Sequence, residues 1–216
     1  MIVACVRTGT KYPIEYVYRL RDMVARHLKV PYKFVCLTDD PNLLPDIDCV
    51  VVEKGLLGWW AKMQLFNTRW RQGHKVIYFD LDMVICGELA PLAALEVDFA
   101  VCGSFTRAAG NKNWPCIYGS CCMVLGVNLG VYIWEIFCRN KVALMAAAGN
   151  YGDQMALQHI YPDATILQDV LPQGFFLGYR HLTHHKPEGC SVVVFAGSNK
   201  PHNCNEQWIE KEWARS

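Results

Sequence analysis

The segment "VIYFDLDMVI", residues 76–85, is an apolar run interrupted only by two aspartates with one leucine between them. Side chains of a strand alternate between two faces, so an extended segment places Asp80 and Asp82 on the same side, roughly 6.5 Å apart along the backbone. Leaving both carboxylates ionised in apolar surroundings costs several kcal/mol unless a counter-charge lies between them. The segment therefore predicts a buried strand that carries a cation-binding site.

Apolar strands alternate with helical patterns on both sides of this segment. The other predicted strands are 1–6, 32–37, 49–53, 98–103, 120–127 and 191–197. Helical periodicity marks 14–28, 58–73 and 152–161, with a further helix after Asn128, which is expected to cap it. This order predicts an α/β fold with a mostly parallel sheet covered by helices on both faces. Without a repeat or linker, residues 1–216 are expected to form a single domain.

Composition excludes some classes of protein. The 21 Lys and Arg residues balance 20 Asp and Glu residues, and this gives no reason to expect a nucleic-acid partner. The apolar stretch 121–138 contains Asn128 and Glu135, so it predicts a strand, a turn and a helix rather than a transmembrane segment. The 11 cysteines form no C-x-x-C pair and favour reduced core thiols over a zinc site or disulfides. A soluble, cytoplasmic protein without a signal peptide is expected.

Polar residues follow several of the predicted strands. Ligand sites in open α/β sheets lie beyond the carboxyl ends of the strands, and 7–9, 37–40 and 80–82 all fall at that edge. Mg²⁺ and Mn²⁺ prefer oxygen ligands and bind through one or two carboxylates together with substrate phosphates. The sequence therefore favours a divalent metal at Asp80 and Asp82.

The segment "KVIYFDLDMVICGELAPL", residues 75–92, resembles the metal-binding segment of nucleotide-sugar glycosyltransferases with the GT-A fold. The likeness is strongest to glycosyltransferase family 8, the relatives of glycogenin and of bacterial lipopolysaccharide galactosyltransferases. Further segments resemble motifs of that family in the family's order: 7–12, 59–65, 151–157 and 192–203. The resemblance implies a retaining transferase that uses a UDP-sugar such as UDP-glucose, Mn²⁺ or Mg²⁺, and a glycan, lipid-linked or small-molecule acceptor.

The resemblance also implies roles for the residues around the diphosphate. Asp80 and Asp82 hold the divalent ion, and Asp80 also lies near the ribose and the sugar. Lys200 adds a second cation to the diphosphate, and Gly197 lets the backbone approach it. Lys62 reaches the phosphate or the sugar and stabilises the transition state electrostatically.

Other positions that match the family concern the nucleoside and the reacting sugar. The implied nucleoside pocket consists of Thr8, Gly9 and Tyr12, with Tyr12 stacked on uracil and Asp39 at the uridine end. Asp153 and Gln154 face the reacting sugar, and Gln154 is expected near the anomeric carbon without forming a covalent intermediate.

The sequence departs from the family pattern at several positions. The family's third metal ligand, a histidine, is replaced by Val194, and His202 stands where the family has tryptophan. Either His202 completes the metal site, or two aspartates with phosphate and water suffice. Met155 and Ser120 also differ, at positions where the sugar and the acceptor are chosen.

Four further features carry expectations. Trp59 and Trp60 are expected to be buried, and Trp114 is the tryptophan with a chance of exposure. The loop 104–115 is expected to order over bound donor, and 208–216 is expected to form an amphipathic helix. The histidines of 181–185 are interpreted as a polar loop rather than a metal cluster.

Two alternative functions stay open. A phosphatase of the haloacid dehalogenase type also carries D-x-D after an apolar strand, although there the motif ends the first strand of the core. A non-catalytic sugar-nucleotide-binding module would keep the donor pocket without turnover.

Overall fold

Strands and helices follow one another in the order that the sequence predicts. The computed structural model describes residues 1–182 and 185–214. The strands are β1 (Ile2–Arg7), β2 (Lys33–Thr38), β3 (Asp48–Val51), β4 (Val76–Phe79), β5 (Met83–Ile85), β6 (Phe99–Gly103), β7 (Tyr118–Leu125), β8 (Thr165–Ile166), β9 (Phe176–Gly178) and β10 (Val192–Val194). The α-helices are α1 (Glu15–His27), α2 (Thr68–Arg71), α3 (Ala90–Ala94), α4 (Phe105–Ala108), α5 (Tyr132–Ala148), α6 (Gly152–Ile160), α7 (Leu167–Val170) and α8 (Gln207–Trp213). The 3-10 helices are Pro41–Leu43, Gly58–Phe66, Gly149–Tyr151, Tyr179–His181 and Pro201–Asn203.

The central sheet has seven strands in the order β3-β2-β1-β4-β7-β6-β8. Its strands pair in parallel, except that β7 runs antiparallel to both of its neighbours, β4 and β6. A second sheet has the order β5-β10-β9. The expected last strand therefore forms, but β10 belongs to this second sheet, where it pairs with β5.

Apolar side chains cover both faces of the central sheet, as the alternation of strands and helices predicts. One core contains Val3 and Ile77 and packs against α1, α8 and the second sheet. The other contains Ala4 and Val76 and packs against the 3-10 helix 58–66, α5 and α6. Neighbouring residues of one strand thus serve opposite cores, which fixes the register of the strands.

The sequence suggested that the two aspartates lie on one continuous strand, but in the structure they do not. The chain leaves the central sheet after Phe79 and enters the second sheet at Met83, so residues 80–82 form the turn between β4 and β5. The Asp80 amide still donates to the carbonyl of Cys121, at 2.7 Å, and Leu81 is buried in the core. The turn nevertheless keeps both carboxylates in one cavity.

Two local predictions were wrong. The segment 58–73 is a 3-10 helix followed by the four-residue helix α2, because the consecutive residues 63–66 are all buried and an amphipathic α-helix buries only one stripe. Asn128 caps no helix, since α5 begins at Tyr132 after Val131.

Three other expectations are met. The stretch 121–138 forms strand, turn and helix, and no helix among residues 1–182 and 185–214 is long and apolar enough to cross a bilayer. Eight of the 11 cysteines are buried, as core thiols should be, whereas Cys49 and Cys121 are half-buried and Cys138 is exposed. Helix α8 buries Ile209 and Trp213 against the domain, as an amphipathic helix should.

Candidate active site

A cavity of about 490 Å³ opens where β1 and β4 end and where β7 and α6 begin. It brings together most of the residues that the sequence proposed. The predicted residues in its wall are Thr8, Tyr12, Lys62, Asp80, Asp82, Asp153, Gln154 and Lys200. They come from segments up to 192 positions apart in the chain (200 − 8), and the common sheet edge explains their meeting.

Asp82 is held by two side chains at one end of the cavity. Lys200 Nζ lies 2.6 Å from Asp82 Oδ2, and the Tyr12 hydroxyl donates to the same oxygen at 2.7 Å. Only 7% of Asp82 is exposed. Burial and the charge of Asp82 raise the pKa of Tyr12 well above its ordinary value, so the phenol stays protonated and remains a donor.

Asp80 is held by a second lysine and a second tyrosine. Lys62 Nζ lies 2.8 Å from Asp80 Oδ1 and 3.2 Å from Oδ2, and the buried Tyr78 hydroxyl donates to Oδ1. Lys62 also donates to the hydroxyl of Ser120 at 3.2 Å and to its carbonyl at 3.3 Å. Burial raises the pKa of Asp80, while Lys62 opposes that rise.

Asp153 is the most deeply buried acid of the cavity, with 4% of its surface exposed. Its Oδ2 lies 3.9 Å from Lys62 Nζ and accepts no hydrogen bond from the described residues. Burial raises the pKa of Asp153, and Lys62 counteracts only part of the effect. Burial also lowers the pKa of Lys62, but Asp153 and Asp80 together raise it above its ordinary value, so Lys62 is a permanent cation.

His202 is not brought to the two aspartates. Its Nδ1 lies 2.5 Å from the Tyr16 hydroxyl, and it lines a second cavity of about 440 Å³ on the α1 and α8 side. Val194, which replaces the family's histidine, does line the main cavity and offers no ligand. Within residues 1–182 and 185–214, no group of three or more His, Cys, Asp and Glu side chains is arranged to hold a metal ion.

The residues of the cavity nevertheless fit a hard divalent cation. Asp80 and Asp82 offer carboxylate oxygens, the ligands that Mg²⁺ and Mn²⁺ prefer, and substrate phosphates and water commonly fill the remaining positions. The metal site stays a prediction, and of its two alternatives the one without His202 uses only aspartates that line the cavity, whereas His202 is paired with Tyr16.

Three predicted residues lie near the cavity without forming its wall. Asp39 accepts a hydrogen bond from the Gly9 amide at 2.7 Å, and this bond fixes the loop that precedes Tyr12. Gly9 and Gly197 have φ of +62° and +72°, which side chains rarely adopt. Their roles toward the nucleotide stay predictions, and the loops they shape present Thr8 and Lys200 to the cavity.

No protein-family model matches the sequence, and no curated protein matches it. Solved structures do match. The glycosyltransferase GlyE in Streptococcus pneumoniae TIGR4 superposes with a TM-score of 0.72 at 16% identity, over 100% of this chain and 61% of that chain. The galactosyltransferase LgtC, in complex with donor and acceptor sugar analogs, gives 0.65 at 13% identity over 98% of this chain and 93% of that chain.

This chain has the GT-A fold. The bifunctional glycosyltransferase WbbM, in its apo form, adds a third match with a TM-score of 0.64 at 13% identity, covering 100% of this chain. The GT-A chain thus spans 61% of the length of GlyE and 50% of that of WbbM. At such low identity these matches establish the fold alone, and the chemistry has to be argued from the cavity itself.

The GT-A cavity also contains residues that the sequence did not single out or placed wrongly. Trp59 was expected to be buried, but 48% of it is exposed and it lines the cavity beside Tyr151. Trp60 is half-buried and stacks on Phe137, and Trp114 is half-buried against Tyr151. The sequence could not predict which of the two adjacent tryptophans faces outward. The direction of each side chain depends on the helix period, and a 3-10 helix has a different period from the predicted α-helix.

Two loop expectations remain untested. Loop 104–115 contributes Ser104, Phe105 and Thr106 to the cavity wall, but its ordering over a donor stays a prediction. Of the histidine-rich segment 181–185, Thr183 and His184 lie outside the described residues.

Proposed function

We propose that this chain is a metal-dependent glycosyltransferase that transfers a hexosyl group from a UDP-sugar to an acceptor with retention of anomeric configuration. The observation that carries the proposal is the continuous row of charges Lys200, Asp82, Asp80, Lys62 and Asp153 in one cavity of a GT-A fold. The row contains two cations and three carboxylates, with Asp82 and Asp80 next to each other between the two lysines, and a diphosphate with a divalent ion needs both kinds of charge.

The members of this row, together with Tyr12 beside Asp82, suit different parts of a nucleotide sugar. Lys200 is a cation that can exchange its bond with Asp82 for one with a diphosphate oxygen. Tyr12 carries an aromatic face, and stacking on a planar base is the role that such a face supports. A divalent ion held by Asp80 and Asp82 would neutralise negative charge on the leaving diphosphate.

Lys62 is suited to stabilise the transition state. Its ammonium is fixed by Asp80 and by Ser120, so it needs little reorganisation when charge develops on the departing phosphate. Asp153 has a free carboxylate oxygen, which can accept hydrogen bonds from sugar hydroxyls. Gln154 follows it on α6 and lines the same cavity, so we place it near the anomeric carbon.

In the remaining parts of the proposal, the single domain and the compartment rest on the sequence pattern and the cysteines, and the donor sugar rests on the resemblance. We propose residues 1–216 as one GT-A domain that acts in the cytoplasm, and the donor sugar is left as UDP-glucose or a similar hexose. The non-catalytic alternative keeps the same donor pocket. The phosphatase alternative is disfavoured, because the D-x-D turn here follows the fourth strand and leads into a second sheet.

The test is calorimetric titration of UDP and GDP into the protein, with Mn²⁺ or with a chelator, for wild type and Asp82→Ala. Asp46→Ala, which changes an exposed acid outside the cavity, is the matched control. UDP binding that requires both Mn²⁺ and Asp82 supports the donor site, and binding that is indifferent to both contradicts it. Release of UDP from UDP-glucose or UDP-galactose then separates an enzyme from a binding module.

A further inference from the structure

The cavity differs in character between its two ends. Five of its charged wall residues are linked by the contacts of Lys200 with Asp82 and of Lys62 with Asp80 and Asp153, and the sixth, Lys11, lies over the Tyr12 ring next to them. Beyond Asp153 the wall is uncharged among the described residues, and it consists of Gly58, Trp59, Asn150, Tyr151 and Gln154. A diphosphate suits the charged end, whereas the other end suits a neutral ligand.

Trp59 is a fixed platform at the uncharged end. Its indole ring packs against the backbone of Gly152, where a Cβ atom would lie only 2.7 Å from Trp59 Nε1. Gly152 has a φ of +64° and begins the helix that carries Asp153 and Gln154. The ring therefore has a defined position next to the residues proposed to face the reacting sugar, and yet 48% of Trp59 is exposed.

A second aromatic pair and polar amides flank this platform. Tyr151 lines the cavity and is held edge-to-face by Trp114, with ring centroids 4.9 Å apart. Asn150 and Gln154 present amide groups, which can both donate and accept hydrogen bonds. An exposed indole beside the half-buried Tyr151, with uncharged donors and acceptors around them, matches a sugar ring, whose C–H face is apolar and whose edge carries hydroxyls.

We infer that Trp59 is the acceptor platform and that the acceptor is a neutral glycan whose sugar ring stacks on its indole. This inference rests on the proposed function and narrows the acceptor from glycan, lipid or small molecule to an uncharged sugar chain. An acidic acceptor would find no cation among the described residues of that end of the wall, since Lys62 is already engaged by Asp80 and Asp153.

The experiment is saturation-transfer NMR on the protein loaded with Mg²⁺ and UDP, with lactose, maltose, cellobiose and sialyllactose as probes. The variants are Trp59→Ala, Trp59→Tyr and the control Leu57→Ala, which removes a more exposed apolar side chain two positions away and outside the cavity wall. We expect a neutral disaccharide to bind wild type and Leu57→Ala alike, and Trp59→Ala to weaken binding about fivefold or more. Trp59→Tyr keeps an aromatic face and should retain part of the affinity.

The outcomes test the proposed function and the acceptor inference separately. A wild type that binds no UDP overturns the proposed function. A wild type that binds UDP but gives no signal with any neutral disaccharide, or binds sialyllactose more tightly, overturns the inference alone. Equal binding by wild type and Trp59→Ala also overturns it. If Trp59→Ala does not fold, as judged by circular dichroism, the comparison of Trp59→Tyr with wild type decides the matter.

Discussion

Lys200 Nζ lies 2.6 Å from Asp82 Oδ2, in a bond that joins the C-terminal part of the chain to the D-x-D turn. The same oxygen also accepts a hydrogen bond from the hydroxyl of Tyr12. Lys200 and Tyr12 thus both contact the carboxylate that is proposed to bind the metal. A cation that arrives alone has to compete with Lys200, whereas a diphosphate gives Lys200 a new partner and releases Asp82.

Lys200→Met should therefore change metal and nucleotide affinity in opposite directions. Removing the competing cation should tighten Mn²⁺ binding in the absence of nucleotide by about tenfold, and losing a phosphate contact should weaken UDP binding by a similar factor. Paramagnetic resonance of Mn²⁺ measures the first and calorimetry the second. Lys11→Met is the control, because Lys11 lines the same cavity with its ammonium 5.0 Å from the Tyr12 ring centroid. Weaker Mn²⁺ binding by Lys200→Met would show that the lysine does not compete.

Lys62→Met should destabilise the protein at neutral pH. It leaves Asp80 and Asp153 without their common counter-charge, and breaking a buried ion pair from one side costs about 3 kcal/mol. The loss should shrink as the pH falls, because both acids have raised pKa values and become neutral before exposed aspartates do. Urea unfolding at several pH values measures it. Lys33→Met removes an exposed ion pair with Asp48 and should have little effect at any pH.

Asp153→Asn should stabilise the protein at neutral pH, at the expense of activity. The raised pKa of Asp153 means that its contribution to stability is fully present below its pKa in the unfolded chain and is lost as the pH rises through its pKa in the folded protein. Removing the charge should therefore raise the free energy of unfolding at pH 7, and the gain should vanish as the pH falls to about 4. The exposed acid Asp163, changed to Asn, should give no such pH-dependent difference. If the stability gain of Asp153→Asn persists at acidic pH, the ionised Asp153 carboxylate is not the cause of the gain.

Gly152→Ala should cost more stability than Gly149→Ala. The two glycines have similar backbone angles, with φ and ψ of 64° and −147° for Gly152 and of 50° and −129° for Gly149. Both substitutions therefore pay a similar backbone strain of about 1 kcal/mol. Only Gly152 has the Trp59 ring against the new methyl group, and overpacking should add a further 1–3 kcal/mol, roughly. Thermal and urea unfolding of the two variants measure the difference, and equal losses would contradict the packing of Trp59 on Gly152.

The sequence by itself determined the alternation of strands and helices, the pairing of two acids after an apolar run and the order of the motifs that resemble those of family 8. These features are local, because hydrophobic periodicity and short motifs are properties of neighbouring residues. Thr8, Tyr12, Lys62, Asp153 and Lys200 were expected in one site because their positions match motifs that resemble those of the family, and the structure brings all five into one cavity.

Only the tertiary structure decided which partner each of these residues has. The pairing of Lys200 with Asp82 spans 118 positions, and the turn of residues 80–82 exists because β5 pairs with β10 instead of continuing β4. His202 faces Tyr16, and Trp59 is exposed, because the second sheet and the 3-10 helix set directions that no local period encodes. Side-chain contacts between distant segments depend on how the layers of helices and sheets pack. A sequence pattern describes only the neighbouring residues of one helix or strand at a time.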